Sequence, residues 1–354
     1  MAAIYSLHME TYRHLILIFG SFLYAFILAI IFAPPFIEIL KKYKLGKNIR
    51  EDSVDGLKAT IFNELHFRKK GTPTMGGILI WGTVLLVVII SRILSYAGII
   101  EHSLINRKET YLAIFTLITM ALLGAFDDYF NIKGIGKTKG INVKPKFIWL
   151  MIFAILGSLW FYFKLEYNQI HIPFLGDLHI GIWYIPLFIL VLLSTSNAVN
   201  ITDGLDGLAG GILINCFAVF TVLSYFKGLF ILSALCAVII GALLAFLWYN
   251  IHPAKFYMGD TGSLALGGTL GVIALMTDSV LILPIVGIVF VVETLSVLIQ
   301  LFSKKFFKRK VFHIAPLHHH FEKIGWPESQ ITMRFWIIST VFSIIGLILG
   351  LVSI

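Results

Sequence analysis

Runs of about twenty apolar residues recur from end to end of this chain, each close to the length a helix needs to cross bilayer hydrocarbon. Backbone polar groups inside lipid must be satisfied within the spanning structure, so runs of this length predict helices rather than strands. Little of the chain is left for a separate soluble domain. With 58% hydrophobic residues, 13% charged residues and a mean hydropathy of +0.91, a water-soluble globule is excluded. The expectation is an all-α, polytopic integral membrane protein of about ten transmembrane helices, forming one domain over residues 1–354.

The predicted spans are 14–36, 75–99, 110–127, 146–164, 181–197, 206–226, 229–249, 262–277, 279–302 and 333–353. The first closes on Pro34 and Pro35; it is too long, and lacks the basic start, for a cleaved signal peptide. The ninth contains Pro284 and Gly287, which predict a kink, and an intramembrane carboxylate, Glu293, read as hydrogen-bonded to a neighbouring helix. Residues His171–Ile180 suggest a small hairpin about Gly176 and Asp177. Cys216 and Cys236 lie inside apolar runs and read as packing residues, not as a disulfide or metal site.

Orientation follows from charge. Connections 37–70, 127–146, 197–206, 249–262 and the last one before the tenth span hold 21 of the 28 Lys and Arg, with Arg334 at the start of that span on the same side, which predicts that they face the cytoplasm and that both termini are external. The net charge of +9 is accounted for by this topology and by anionic lipid or substrate, so no nucleic-acid partner is implied.

Within the third of these connections, Ser196–Gly211 (SNAVNITDGLDGLAGG) carries Asn197, Asn200, Asp203 and Asp206 but no basic residue. Carboxylates beside a bilayer are expensive and are usually kept for chemistry or an ion pathway. Spaced i and i+3, Asp203 and Asp206 are expected on one helical face, and an acidic site kept free of Lys and Arg suggests a divalent cation. Three more constellations fall on the same side. Lys69–Gly77 (KKGTPTMGG) sets lysines and hydroxyls, Lys69 and Thr74 among them, beside flexible backbone suited to phosphate oxygens. Asp127 and Asp128 are expected to end the third span. In Trp248–Gly268, Asn250 and Asp260 bracket the entry to the eighth span, and hard oxygen ligands of this kind suit magnesium. Finally, PLHHHFE places His318, His319 and His320 consecutively. Such residues cannot all point one way, so hydrogen bonding to an anionic substrate is expected rather than a three-histidine zinc site.

Taken in order, KKGTPTMGG, DDY, SNAVNITDGLDGLAGG, WYN, MGDTGSLALGG, ETLSVLIQ and APLHHHFE resemble the polyprenyl-phosphate N-acetylhexosamine-1-phosphate transferases, and APLHHHFE resembles their muramoyl-pentapeptide branch. The resemblance runs over residues 37–330. It implies a magnesium-dependent enzyme of the bacterial inner membrane, with its active site at the cytoplasmic face. Undecaprenyl phosphate would attack the sugar-linked phosphate of UDP-MurNAc-pentapeptide to give lipid I and UMP. It also implies that Asp260 is the magnesium ligand, that Asp127 and Asp128 are the family's acidic pair, and that Lys69, Thr74, Asn200, Asp203, Asp206, Asn250, Gln300 and His318–His320 line the pocket. A membrane homodimer is compatible with the resemblance.

The chain departs from the family pattern in places. Asn131 stands where the family often has lysine, which leaves Lys133 to make that phosphate contact. Lys146 sits one residue farther on than expected, and Tyr257 replaces the common phenylalanine while keeping a ring able to stack on uracil. The stretch IFNELHF lacks the Gly and Pro often found before the lysine-rich motif. Two other readings compete with this one. Transfer of N-acetylglucosamine 1-phosphate would use the same aspartates and metal. An ion-coupled transporter should show paired interrupted helices in two halves, and no internal repeat is present.

Overall fold

The computed structural model describes residues 2–46, 71–101, 103–105, 108–134 and 143–354. The basic stretch 47–70, with Lys69, lies outside these, as do Lys137 and Lys139. The long helices are α1 (Ala2–Lys42), α2 (Gly77–Tyr96), α3 (Lys108–Lys133), α4 (Val143–Leu159), α5 (Tyr184–Thr202), α6 (Leu208–Phe226), α7 (Phe230–Asn250), α8 (Asp260–Met276), α10 (Ile288–Phe307) and α12 (Glu328–Val352). Two short helices, α9 (Leu283–Val286) and α11 (Leu317–Lys323), precede α10 and α12. A hairpin pairs β1 (Gln169–Ile172) antiparallel with β2 (Gly176–His179).

α7 and α8 form the centre. Every residue of α8 from Thr261 to Met276 is buried. Around this pair, α1, α2 and α6 pack on α7, α3 and α5 pack on α8, and α12 closes against α6. The outside is apolar. On α1, Ile16, Phe19, Leu23, Ile27 and Ile31 are exposed while Ala25, Ala29 and Ala33 are fully buried. A helix with large apolar residues outside and small ones inside is built to pack closely in lipid, where burying apolar surface gives no drive of its own.

Two glycine contacts set the position of the site. A methyl group at Gly124 on α3 would collide with the Asp260 backbone carbonyl, and one at Gly77 would collide with the Gly262 backbone. Without side chains there, α2 and α3 both press against the first turn of α8.

Several boundaries differ from expectation. α1 runs through Pro34 and Pro35 rather than closing on them. The carbonyls that lose partners to proline inside a membrane helix can be re-satisfied locally. α3 continues past Asp127 and Asp128 to Lys133, so the acids lie within the helix and not at its end. Asp203 and Asp206 do not share a helical face, because α5 ends at Thr202 and both fall in the turn before α6, closed by Gly207 at φ 75°. The hairpin forms, but its turn is centred on Pro173–Leu175, with Ile172 opposite Gly176.

Eight helices are long and apolar enough to cross a membrane among the described residues. The other two expected spans are also helical but less simple. α8 has 17 residues, about 26 Å at 1.5 Å per residue. The ninth breaks at Gly287 into α9 and α10, and α10 carries Glu293, Lys304 and Lys305. The chain is an all-α integral membrane protein. Cys216 and Cys236 are both buried, unpaired, in α6 and α7.

Candidate active site

The first turn of α8 leaves backbone N–H groups without helical partners, and a carboxylate on another helix accepts from them. Asp128 Oδ1 lies 3.1 Å from the Asp260 nitrogen and Oδ2 lies 3.0 Å from the Thr261 nitrogen. Thr261 Oγ1 then donates to the Ala121 carbonyl at 2.9 Å and accepts from Trp81 Nε1 at 3.2 Å, so the start of α8 is tied to α2 and α3. Gly259, at φ 74°, has no room for a side chain: a Cβ there would sit 2.5 Å from Asp128 Oδ2 and 2.8 Å from Thr74 Oγ1.

One cation joins three helices at this point. Lys146, from the first turn of α4, donates to Asp127 Oδ2 at 3.0 Å and to Asp260 Oδ2 at 2.5 Å, with side-chain exposures of 17%, 5% and 18% for the lysine and the two acids. The other Asp260 oxygen accepts from Asn200 Nδ2 at 2.9 Å, and the same amide donates to Ser263 Oγ at 2.8 Å. The site therefore unites Asp127 and Asp128 from α3, Lys146 from α4, Asn200 from α5 and Asp260 from α8. Sequence reasoning missed Ser263 and Thr261. Their signal was available, since DTGS puts a hydroxyl at i+3 from Asp260 at a helix start.

Lys133 does not join this group. It lies six residues beyond Asp127, about 240° round the helix axis, and its ammonium sits 6.0 Å from the Tyr129 ring centroid on the exposed side. Lys146, and not Lys133, stands beside Asp127.

Residues 71–77 are laid along the approach to α8. The Pro73 carbonyl accepts from the Tyr257 nitrogen at 2.8 Å, while Gly76 and Gly77 donate to the Tyr257 and Met258 carbonyls at 2.7 and 2.8 Å. Thr74 is held through its nitrogen by the Leu45 carbonyl at 2.8 Å. Its hydroxyl is buried without a hydrogen-bond partner. Lys69, in the same motif, lies outside the described residues.

The 203–207 turn is fastened from the other side. Asp206 Oδ2 lies 3.0 Å from His252 Nδ1 and accepts from the Ala254 nitrogen at 3.0 Å, while the Asp206 nitrogen donates to Glu328 Oε1 at 2.6 Å. Asp206, His252 and Glu328 offer ligand atoms all within 4.8 Å of one another, a spacing that could hold a metal ion. Those atoms are engaged in hydrogen bonds that close the turn onto α12. Asn250 accepts from the Gly207 nitrogen at 3.0 Å and donates to the Phe256 carbonyl at 2.9 Å. Both ends of that amide thus hold loops. Gln300 likewise accepts from the Val311 and Phe312 nitrogens, each at 3.0 Å, and donates to the Phe312 carbonyl at 2.9 Å. Asp203 caps α5, half-buried beside Gly204.

The three histidines have three different partners. His318 Nδ1 lies 3.0 Å from Glu293 Oε2, His319 Nδ1 lies 2.6 Å from Glu322 Oε2, and His320 Nδ1 accepts from the His313 nitrogen at 3.2 Å while the two rings stack. His318 faces the 203–207 turn, because a Cβ on Gly204 would run into its Nε2.

Such an arrangement can hold a polyanion: a charge-compensated acidic pair, an ammonium, an amide and a hydroxyl meet at a helix N-terminus. Comparison with known proteins agrees. The family described as Glycosyl transferase family 4 matches residues 110–278, and Phospho-N-acetylmuramoyl-pentapeptide-transferase signature 1 matches residues 69–80. The phospho-N-acetylmuramoyl-pentapeptide-transferase of Chloroflexus aurantiacus is 41% identical, covering 93% of this chain and 88% of its own length. Proteins of the same name from Geobacillus sp. (strain WCH70) and Brachyspira hyodysenteriae are each 39% identical, covering 91% and 93% of this chain and 94% and 91% of theirs.

Proposed function

This chain belongs to the phospho-N-acetylmuramoyl-pentapeptide transferase family, and from that membership and the site's geometry we propose that it transfers phospho-MurNAc-pentapeptide from UDP-MurNAc-pentapeptide to undecaprenyl phosphate, giving lipid I and UMP for peptidoglycan synthesis. The family pairs a nucleotide-sugar donor with a prenyl phosphate acceptor in the membrane. The site would face the cytoplasm from a bacterial inner membrane, a reading supported by the 21 of 28 Lys and Arg in the connections on that side.

In the reaction, an oxygen of the lipid phosphate attacks the phosphorus bonded to the sugar. The bond from that phosphorus to the bridging oxygen breaks, and its electron pair leaves with UMP. One phosphoanhydride replaces another, so no outside energy source is needed. Two polyanions must meet, which makes charge compensation and alignment the main tasks of the protein.

Lys146 carries the positive charge, and Asp127 and Asp260 fix where it stands. Asp128 holds the first turn of α8, and Asn200 sets the rotation of the Asp260 carboxylate. The Thr74 hydroxyl is a donor for a phosphate oxygen, and Tyr257 offers its ring to uracil. His318, His319, His320, Asp203, Asp206, Asn250 and Gln300 build the side of the site around the 203–207 turn and the 311–320 segment. Lys69 and Lys133 would meet substrate from the basic connections.

Magnesium fits the donor set, because carboxylate oxygens from α3 and α8 already converge on one positive centre and hard oxygens suit that ion. Asp260 would hold it, and when bound it would neutralise charge on the diphosphate. The observation that carries the proposal is the Asp127–Lys146–Asp260 bridge with Asn200 on its far oxygen. The test combines purified protein, magnesium and undecaprenyl phosphate with each UDP-sugar in turn. Lipid-linked product is expected from UDP-MurNAc-pentapeptide, and product from UDP-GlcNAc alone would overturn the donor assignment.

A further inference from the structure

Glu293 sits in the apolar first half of α10 and is 0% exposed. A carboxylate there needs partners, and its side chain finds them in one residue. Its Oε1 accepts from the His318 nitrogen at 3.1 Å, and its Oε2 lies 3.0 Å from His318 Nδ1. His318 is itself 0% exposed, and its Nε2 is buried without a hydrogen-bond partner. That atom faces Gly204, in the turn that follows Asn200 and Asp203.

An ionised carboxylate can only accept, so a neutral imidazole paired with it carries its proton on Nδ1 and keeps the lone pair of Nε2. A buried acceptor of this kind is costly unless something brings it a donor. We propose that Glu293 is a positioning residue for the transfer reaction: it locks His318 so that Nε2 is presented at the Gly204 turn as a hydrogen-bond acceptor for an N–H or O–H of the nucleotide-sugar. This rests on the function proposed above. A purely architectural role would be limited to pinning the start of α11 to α10 through the His318 backbone nitrogen. Glutamine separates the two roles. Its carbonyl oxygen can still accept from that nitrogen, but its amide can also donate to Nδ1, which favours the other tautomer and replaces the acceptor at Nε2 with a donor.

The experiment measures both substrates' kinetics for wild type, Glu293→Gln, His318→Gln and the double variant in detergent, with thermal melting alongside. Glu293→Gln should lower kcat/KM for UDP-MurNAc-pentapeptide at least 30-fold while the KM for undecaprenyl phosphate stays within threefold, and the double variant should be no slower than His318→Gln. A Glu293→Gln enzyme within threefold of wild type would overturn the proposal, as would a double variant slower by the product of both effects. If Glu293→Gln does not fold, His318→Gln decides: retention of its nucleotide-sugar kcat/KM within threefold also rejects the role. An inactive wild type would instead remove the reaction proposed above, and this role with it.

Discussion

The Lys146 ammonium lies 2.5 Å from Asp260 Oδ2, although the two residues are 114 positions apart and on different helices. With Asp127 bound at 3.0 Å as well, the lysine offsets the repulsion between two partly buried acids. Lys146→Gln should lower turnover at least 100-fold and reduce stability by roughly 2 kcal/mol, below the usual cost of breaking a fully buried pair because all three side chains keep some solvent contact. Adding Asp127→Asn removes the repulsion and should recover most of the lost melting temperature without recovering activity. A double variant that melts no higher than Lys146→Gln would contradict this balance.

Gly124 tests the geometry without touching a charged group. A methyl at that position meets the Asp260 backbone carbonyl, which cannot swing aside as a flexible side chain would. Gly124→Ala should force α3 away from α8, pulling Asp127 and Asp128 out of register with the first turn they serve. Turnover should fall at least 100-fold, since small misplacements of a reacting group are enough for losses of that order. Near-normal turnover with an unchanged melting temperature would mean that the helices have slack at this contact.

How much of this could be read from sequence depended on the range of the interaction. The spans were legible because lipid dictates run length, and Asp127, Asp128, Asn200 and Asp260 stood out as polar groups in apolar surroundings. Which lysine serves the acids was not legible. Lys133 is near Asp127 in sequence but on another side of α3, while Lys146 arrives from the next helix by packing. The extension of α1 through Pro34 and Pro35, and the turn holding Asp203 and Asp206, were misread for a related reason. Local signals pointed to a break or a face, and the neighbouring helices decided otherwise. The backbone-holding contacts of the Asn250 and Gln300 amides, which join residues distant in sequence or across a loop, were not legible either.

Away from the site, Asp278 follows α8 and accepts from the His171 nitrogen at 3.0 Å, joining the hairpin to that helix end. Burial raises its carboxyl above the ordinary carboxylate range, against the pull of the His171 backbone bond and Lys227. A carboxylate whose folded value is raised contributes most below its unfolded value and loses that contribution as pH rises through the folded one. Asp278→Asn keeps an acceptor for His171 while removing the charge. It should raise the melting temperature at pH 7 by roughly 1–2 °C and make less difference near pH 4. A melting temperature lowered more at pH 7 than near pH 4 would show that the ionised form is favoured here.

Asp127 invites assignment as a general base, but the chemistry gives it little to remove. A phosphate monoester has a second pKa of about 6, so the lipid phosphate is largely a dianion at neutral pH. The structure gives the carboxylate another task, since its Oδ2 is 3.0 Å from Lys146 and holds that ammonium against Asp260. If Asp127 only positions charge, Asp127→Asn should lose activity by a similar factor at pH 6 and at pH 9, because raising the pH does not restore the missing anchor for Lys146. If it takes a proton from the acceptor, the variant should be much slower at pH 6 and recover by pH 9, where solvent has already deprotonated the lipid. The pH–rate profile of the variant at saturating concentrations of both substrates, divided by that of wild type, separates the two. A ratio that is flat across this range is expected; one that climbs tenfold or more towards pH 9 would return Asp127 to the role of base.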